Sequence, residues 1–170
     1  MNAVNLLGRS AIVADDSATA REIVATALQS VQLLDIRQAA NGAAALEMMS
    51  TRLPDFMLLD IEMPHDGITV LRQIRGMPQH PGKSTPVMIM TAHADLKHIT
   101  AARDAGANGF ITKPLSLDKV VSRVAAMLRQ PRPFVEANGY VGPDRRQRAK
   151  LCYAGPFRRA ADAGQTEVLI

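Results

Sequence analysis

Short apolar runs alternate with longer stretches in which apolar residues recur every three to four positions, and the alternation continues as far as residue 130. Five runs read as strands: Ser10 to Ala14, Ile36 to Ala39, Phe56 to Leu59, Val87 to Met90 and Gly109 to Thr112. The third and fourth, FMLL and VMIM, are apolar throughout, as expected of central strands covered by helices on both faces. Between them, Ser17 to Val31 places Ile23, Val24, Ala27, Leu28 and Val31 on one helical face, with Ser17 as N-cap. Asn41 to Thr51, Ile68 to Arg75, Asp95 to Ala105 and Ser116 to Arg129 give four more helices, and Gly106 stands where a C-terminal glycine would end the fourth. Met48, Met49, Met57, Met88 and Met90 read as core filler.

Strict alternation of strand and helix implies right-handed crossovers and an α/β fold: a doubly wound, five-stranded parallel sheet with helices on both faces. Residues 1–130 are assigned to this domain. Residues 131–170, punctuated by Pro and Gly, read as an extended or partly disordered tail. Composition supports a globular chain, with 47% hydrophobic and 21% charged residues among 170. Charge is uneven: residues 1–130 carry 13 Lys/Arg against 12 Asp/Glu, and residues 131–170 carry 7 against 4. The excess sits in the tail, so a pI near 9.6 is a poor argument that the main domain binds nucleic acid. No apolar run reaches the roughly 20 residues that span a bilayer, and the start lacks a basic segment followed by an apolar one. A cytoplasmic protein is expected, and the single cysteine, Cys152, fits a reducing compartment.

In a doubly wound sheet, ligands bind beyond the carboxyl ends of the strands. There the first strand delivers Asp15 and Asp16, the third Asp60, the fourth Thr91 and Ala92, and the fifth Lys113 and Pro114. Three converging carboxylates repel one another and call for a cation, and a hard, oxygen-seeking ion such as Mg²⁺ suits them. Beside such an ion Asp60 is a sensible nucleophile for phosphorus, with Lys113 and the Thr91 hydroxyl available to the phosphoryl oxygens.

The acidic pair Asp15-Asp16, the run LLDIEMPHDG, the MTA of Met90 to Ala92 and the KP of Lys113-Pro114 resemble the receiver domain of two-component response regulators over roughly residues 7–130. The resemblance implies a flavodoxin-like receiver fold, phosphorylation of Asp60, and Mg²⁺ held by Asp15, Asp16, Asp60 and the backbone carbonyl of Glu62. It implies that Thr91 and Lys113 contact the phosphoryl group and that the Lys113-Pro114 bond is cis. Phe110 takes the aromatic switch position, turning inward as Thr91 moves and so altering the surface of the fourth helix, fifth strand and fifth helix. Glu62 and His93 take the positions that tune the lifetime of the acyl phosphate. The implied partners are a sensor histidine kinase or histidine phosphotransfer protein and a downstream protein target, with a homodimer on phosphorylation left open. The chain is then a signalling switch in a phosphorelay, not an enzyme with turnover.

MPHDG, Met63 to Gly67, has one residue fewer than the family commonly shows, which a tighter turn around Gly67 could absorb or which could displace Asp60. A phosphorylation-independent scaffold is therefore the alternative. A Mg²⁺-dependent phosphohydrolase or nuclease is a further class, for which no second positioned base is evident. Taken singly, Asp15-Asp16 would be a helix cap and Thr91 a turn hydroxyl, and His93 and His98 are expected to face solvent. In the tail, Asp144 to Lys150 and Phe157 to Arg159, interleaved with Tyr140, Tyr153 and Phe157, could bind phosphate backbones, yet a solvated segment is the plainer reading. YVGPDRR and the terminal Val168-Leu169-Ile170 could instead dock on a partner or on the receiver itself. The tail leaves little room for a helix-turn-helix, so a transcription factor is not expected.

Overall fold

A computed structural model describes residues 6–92, 96–137 and 139–145. His93, the basic run from residue 146 onward, Cys152, Tyr153, Phe157 and the C-terminal hydrophobic residues lie outside the described residues. The elements in order are β1 (Ser10–Ala14), α1 (Ala18–Gln29), β2 (Asp35–Ala39), α2 (Gly42–Thr51), β3 (Phe56–Asp60), α3 (Gly67–Gly76), a 3-10 turn (Pro81–Ser84), β4 (Val87–Thr91), α4 (Leu96–Asp104), β5 (Gly109–Thr112), α5 (Leu117–Arg129), β6 (Phe134–Ala137) and β7 (Tyr140–Pro143).

The five main strands are parallel in the order β2-β1-β3-β4-β5, the doubly wound topology expected. The period of two in each strand divides the core. Val13, Phe56, Leu58, Met88 and Met90 face α1 and α5, where they meet Val24, Leu28, Val120 and Val124. Ile12, Met57, Leu59, Val87 and Ile89 face the other layer and meet Met49, Val70, Leu71, Ile74 and Ala102. Every residue of β3 and β4 is buried, which is why those two runs carry no polar position before their last residue.

Local signals set the ends. Ser17, Asn41 and Ser116 each accept a backbone N–H of the first helical turn, capping α1, α2 and α5. Gly106, at φ 92°, ends α4 as its position predicts. Helix α1 stops two residues short of Val31, because Gln32 turns left-handed at φ 65° and Leu33 N–H returns to Leu28 O at 3.1 Å.

The segment read as an extended tail folds in its first part. Phe134–Ala137 and Tyr140–Pro143 pair antiparallel, with Ala137 opposite Tyr140 and Gly139 at φ 75° between them. This hairpin docks on the end of the sheet opposite the strand carboxyl termini. The Val141 carbonyl lies against Gly106, where a side chain would collide with it. Lys83 pairs with Glu136 at 2.7 Å, and Arg145 pairs with Asp104 at 3.0 Å while lying 3.5 Å above the Tyr140 ring. Beneath the hairpin Arg75 is 3% exposed and donates to Gly106 O (3.1 Å), Lys83 O (2.6 Å) and Asn108 Oδ1 (3.2 Å), under the ring of Phe134.

Candidate functional site

Parallel pairing brings all the predicted strand ends to one edge. Asp60 pairs with Met90, Ile61 N–H donates to Met90 O, and Lys113 N–H donates to Thr91 O at 2.7 Å. Asp15 follows β1 and donates its N–H to Ala39 O. Its Oδ1 accepts the Ser17 N–H at 2.9 Å, so the residue that caps α1 also orients this carboxylate.

Asp15 and Asp60 are both fully buried, and Asp16 is exposed at the rim. The three carboxylates can present oxygens within 4.8 Å of one another. The Lys113 ammonium lies 2.9 Å from Asp15 Oδ2 and 3.0 Å from Asp60 Oδ1. Asp60 Oδ2 is buried and has no hydrogen-bond partner among the described residues. Burial pushes the Asp60 carboxyl above its ordinary pKa, and the charges of Asp15 and Glu62 push the same way against the stabilising bond from Lys113. Burial alone would lower Lys113, but the two carboxylates outweigh it and hold its ammonium above the usual lysine value.

One lysine does not balance three carboxylates, and a buried carboxylate oxygen without a donor is costly. An all-oxygen set of this kind, two members buried and one open to solvent, fits a hard divalent cation that keeps some of its waters. The donors present therefore fit Mg²⁺.

The remaining predicted residues fall around this group. Thr91 is buried at the end of β4, paired with Thr112 across β5. Phe110 is partly buried against the core beside Ile89. The Lys113–Pro114 peptide is cis. Glu62 is exposed in the turn after Asp60. The tight turn falls two residues earlier than Gly67: His65 is left-handed at φ 59°, with its Nε2 3.0 Å from Gln73 Oε1. Gly67 serves close approach instead, since a side chain there would strike the Asp60 carbonyl.

Two basic residues beside the site went unread in the sequence. Arg21 donates from Nη1 to the carbonyls of Asp15 (2.8 Å) and Asp16 (3.2 Å). Lys119 donates from Nζ to Thr112 Oγ1 at 2.9 Å and to Pro114 O at 3.4 Å, bracketing Lys113. A signal for Arg21 existed: a helical side chain leans toward the helix N-terminus, so a long one in the first turn of α1 reaches back to the strand end.

Residues 11–125 match the family model described as response regulator receiver domain. The chain belongs to this family. A response regulator named MprA from Mycobacterium tuberculosis is 34% identical over 67 residues, which are 39% of this chain and 27% of that protein. The matched segment thus spans about a quarter of that relative. Among solved structures, a candidate response regulator from Chloroflexus aurantiacus superposes with a TM-score of 0.65 at 31% identity, covering 72% of this chain and 98% of the other. The receiver domain of a Francisella response regulator gives 0.63 at 27%, again over 72% and 98%. This receiver domain accounts for the sheet, the five helices and the acidic edge, whereas the hairpin lies beyond the matched residues. No helix among the described residues is long and apolar enough to cross a membrane.

Proposed function

We propose that this receiver accepts a phosphoryl group on Asp60 from the phosphohistidine of a sensor kinase or phosphotransfer protein. The observation that carries the proposal is the state of the Asp60 carboxylate: buried at the end of β3, one oxygen beside Lys113 and the other without a donor among the described residues. An Asp60 oxygen attacks phosphorus, the phosphorus–nitrogen bond to the donor histidine breaks, and an acyl phosphate forms on the receiver. Asp15, Asp16, Asp60 and the Glu62 carbonyl would hold Mg²⁺, which when bound supplies charge neutralisation for the phosphoryl oxygens. Lys113, already facing Asp60, follows the new negative charge, and Thr91 donates its hydroxyl to it. Glu62 and His93 tune hydrolysis.

The output is a shift between two states of the α4-β5-α5 face, with Phe110 turning as Thr91 is drawn in, read by a downstream protein. The domain is modified once per event and turns over no substrate, in keeping with a cytoplasmic phosphorelay. The shortened Met63–Gly67 turn favours the scaffold alternative less once His65 absorbs it, because Asp60 keeps its place beside Lys113.

Intact-mass spectrometry after incubation with acetyl phosphate and Mg²⁺ tests this reading. One phosphoryl adduct is expected, lost in Asp60→Asn and in EDTA. An adduct that persists in Asp60→Asn, or none with either acetyl phosphate or a phosphorylated kinase as donor, would overturn it in favour of the scaffold.

A further inference from the structure

The three carboxylates are not held equally. Asp15 is oriented by the Ser17 N–H and Lys113, and Asp60 by Lys113. The Asp16 carboxylate is exposed and accepts no hydrogen bond among the described residues, so its place is set through its backbone alone. That backbone has one side-chain anchor, Arg21, whose Nη1 bridges the carbonyls of Asp15 and Asp16. Three carboxylates lie close by, yet among the described residues Arg21 forms no ion pair with any of them. Its position in the first turn of α1 delivers the planar guanidinium to the carbonyls and leaves the carboxylate oxygens to another cation.

We propose that Arg21 is a positioning residue for the divalent-cation site, holding the Asp15–Asp16 backbone so that the Asp16 carboxylate faces Asp60. This rests on the reading of the acidic edge as a Mg²⁺ site. The assignment separates cleanly from a purely electrostatic role, because the two predict opposite signs. A cation near the site repels Mg²⁺, so if charge alone mattered, Arg21→Ala would tighten binding and Arg21→Lys would leave it unchanged. If Arg21 acts through the backbone, Arg21→Ala weakens binding despite removing a repelling charge. Arg21→Lys then falls in between, since its ammonium ends short of the Nη1 position and lacks the planar guanidinium geometry that aims both Nη1 hydrogens at the two carbonyls.

The test is calorimetric titration of Mg²⁺ into the full chain for wild type, Arg21→Ala, Arg21→Lys, Asp16→Asn and the Arg21→Ala/Asp16→Asn double variant, each shown to be folded by circular dichroism in EDTA. Arg21→Ala is expected to weaken Mg²⁺ about tenfold, the usual scale for losing a group that orients a ligand. In the Asp16→Asn background the same change should cost less than about twofold, because the carboxylate it positions is gone. Binding by Arg21→Ala as tight as wild type or tighter, or an equal cost in both backgrounds, overturns the assignment. If Arg21→Ala does not fold, Arg21→Lys carries the test, and wild-type affinity in that variant overturns it. Wild type that binds no Mg²⁺ overturns this inference and the metal site together. Wild type that binds Mg²⁺ but takes no phosphoryl group defeats only the proposed function.

Discussion

Removing the hairpin should destabilise the receiver, and the cost should be coupled to Arg75. The guanidinium is held by three oxygens, stacks under Phe134 and forms no ion pair among the described residues; burial pushes its pKa down to about 10 against the opposing influence of Tyr140, so it stays charged at neutral pH. Each buried hydrogen bond contributes about 1 kcal/mol net, so Arg75→Ala should cost about 3 kcal/mol. Ending the chain at Gln130 instead of Arg145 removes the Phe134 ring and the Glu136–Lys83 and Arg145–Asp104 pairs, together about 2 kcal/mol. With the hairpin gone, water reaches the Gly106 and Lys83 carbonyls, and Arg75→Ala should then cost roughly 1 kcal/mol less than in the longer chain. Urea unfolding followed by far-ultraviolet circular dichroism on the four proteins measures all three quantities. A truncation costing under about 0.5 kcal/mol, or an Arg75 effect identical in the two lengths, would refute the view that the domain extends to residue 145.

Two further outcomes follow from residues around Asp60. Asp66 caps α3; burial would raise its pKa, but the Thr69 hydroxyl at 2.6 Å, the Thr69 and Ile68 N–H groups and the charge of Arg72 bring it below the ordinary aspartate value. Because the folded value is depressed, its contribution is complete above the unfolded pKa of about 3.9 and is lost as pH falls through the lower folded value. Asp66→Ala should therefore cost about 1 kcal/mol at neutral pH, with the gap to wild type closing in acid, as thermal melts across pH would show. Gly67→Ala should destabilise by about 1–3 kcal/mol through its clash with the Asp60 carbonyl, and should slow acetyl phosphate labelling more than an exposed Gly76→Ala does.

The strands and the acidic edge were legible because each depends on local pattern plus one topological rule. Apolar runs give β1, β3 and β4, and the rule that parallel strands present their carboxyl ends together brings Asp15, Asp16, Asp60, Thr91 and Lys113 to one place. The hairpin was missed although Asn138-Gly139 is a strong turn signal, because Pro133, Gly142 and Pro143 around it read as linker and the strands are only partly buried. Arg75 was unreadable in principle: a basic residue near the end of an amphipathic helix looks solvent-facing, and the oxygens that bury it come from Lys83, Gly106 and Asn108, up to 33 positions away. His65 was misjudged for a simpler reason, since glycine is the default for a left-handed turn and Gly67 stood two residues away.

The docked hairpin also gives the molecule an electrical axis. Arg145, tied to Asp104, stands with Arg75, Lys83 and Arg132 at the amino-terminal ends of β4 and β5, where Asp104 and Glu136 offset only two of these four cations. The acidic group lies at the carboxyl ends of the same sheet, about 15 Å away along strands of four or five residues. A nearly neutral receiver with its charges parted in this way would turn in the field of a charged partner before touching it, presenting its basic pole to an anionic surface while the Asp60 edge faces outward.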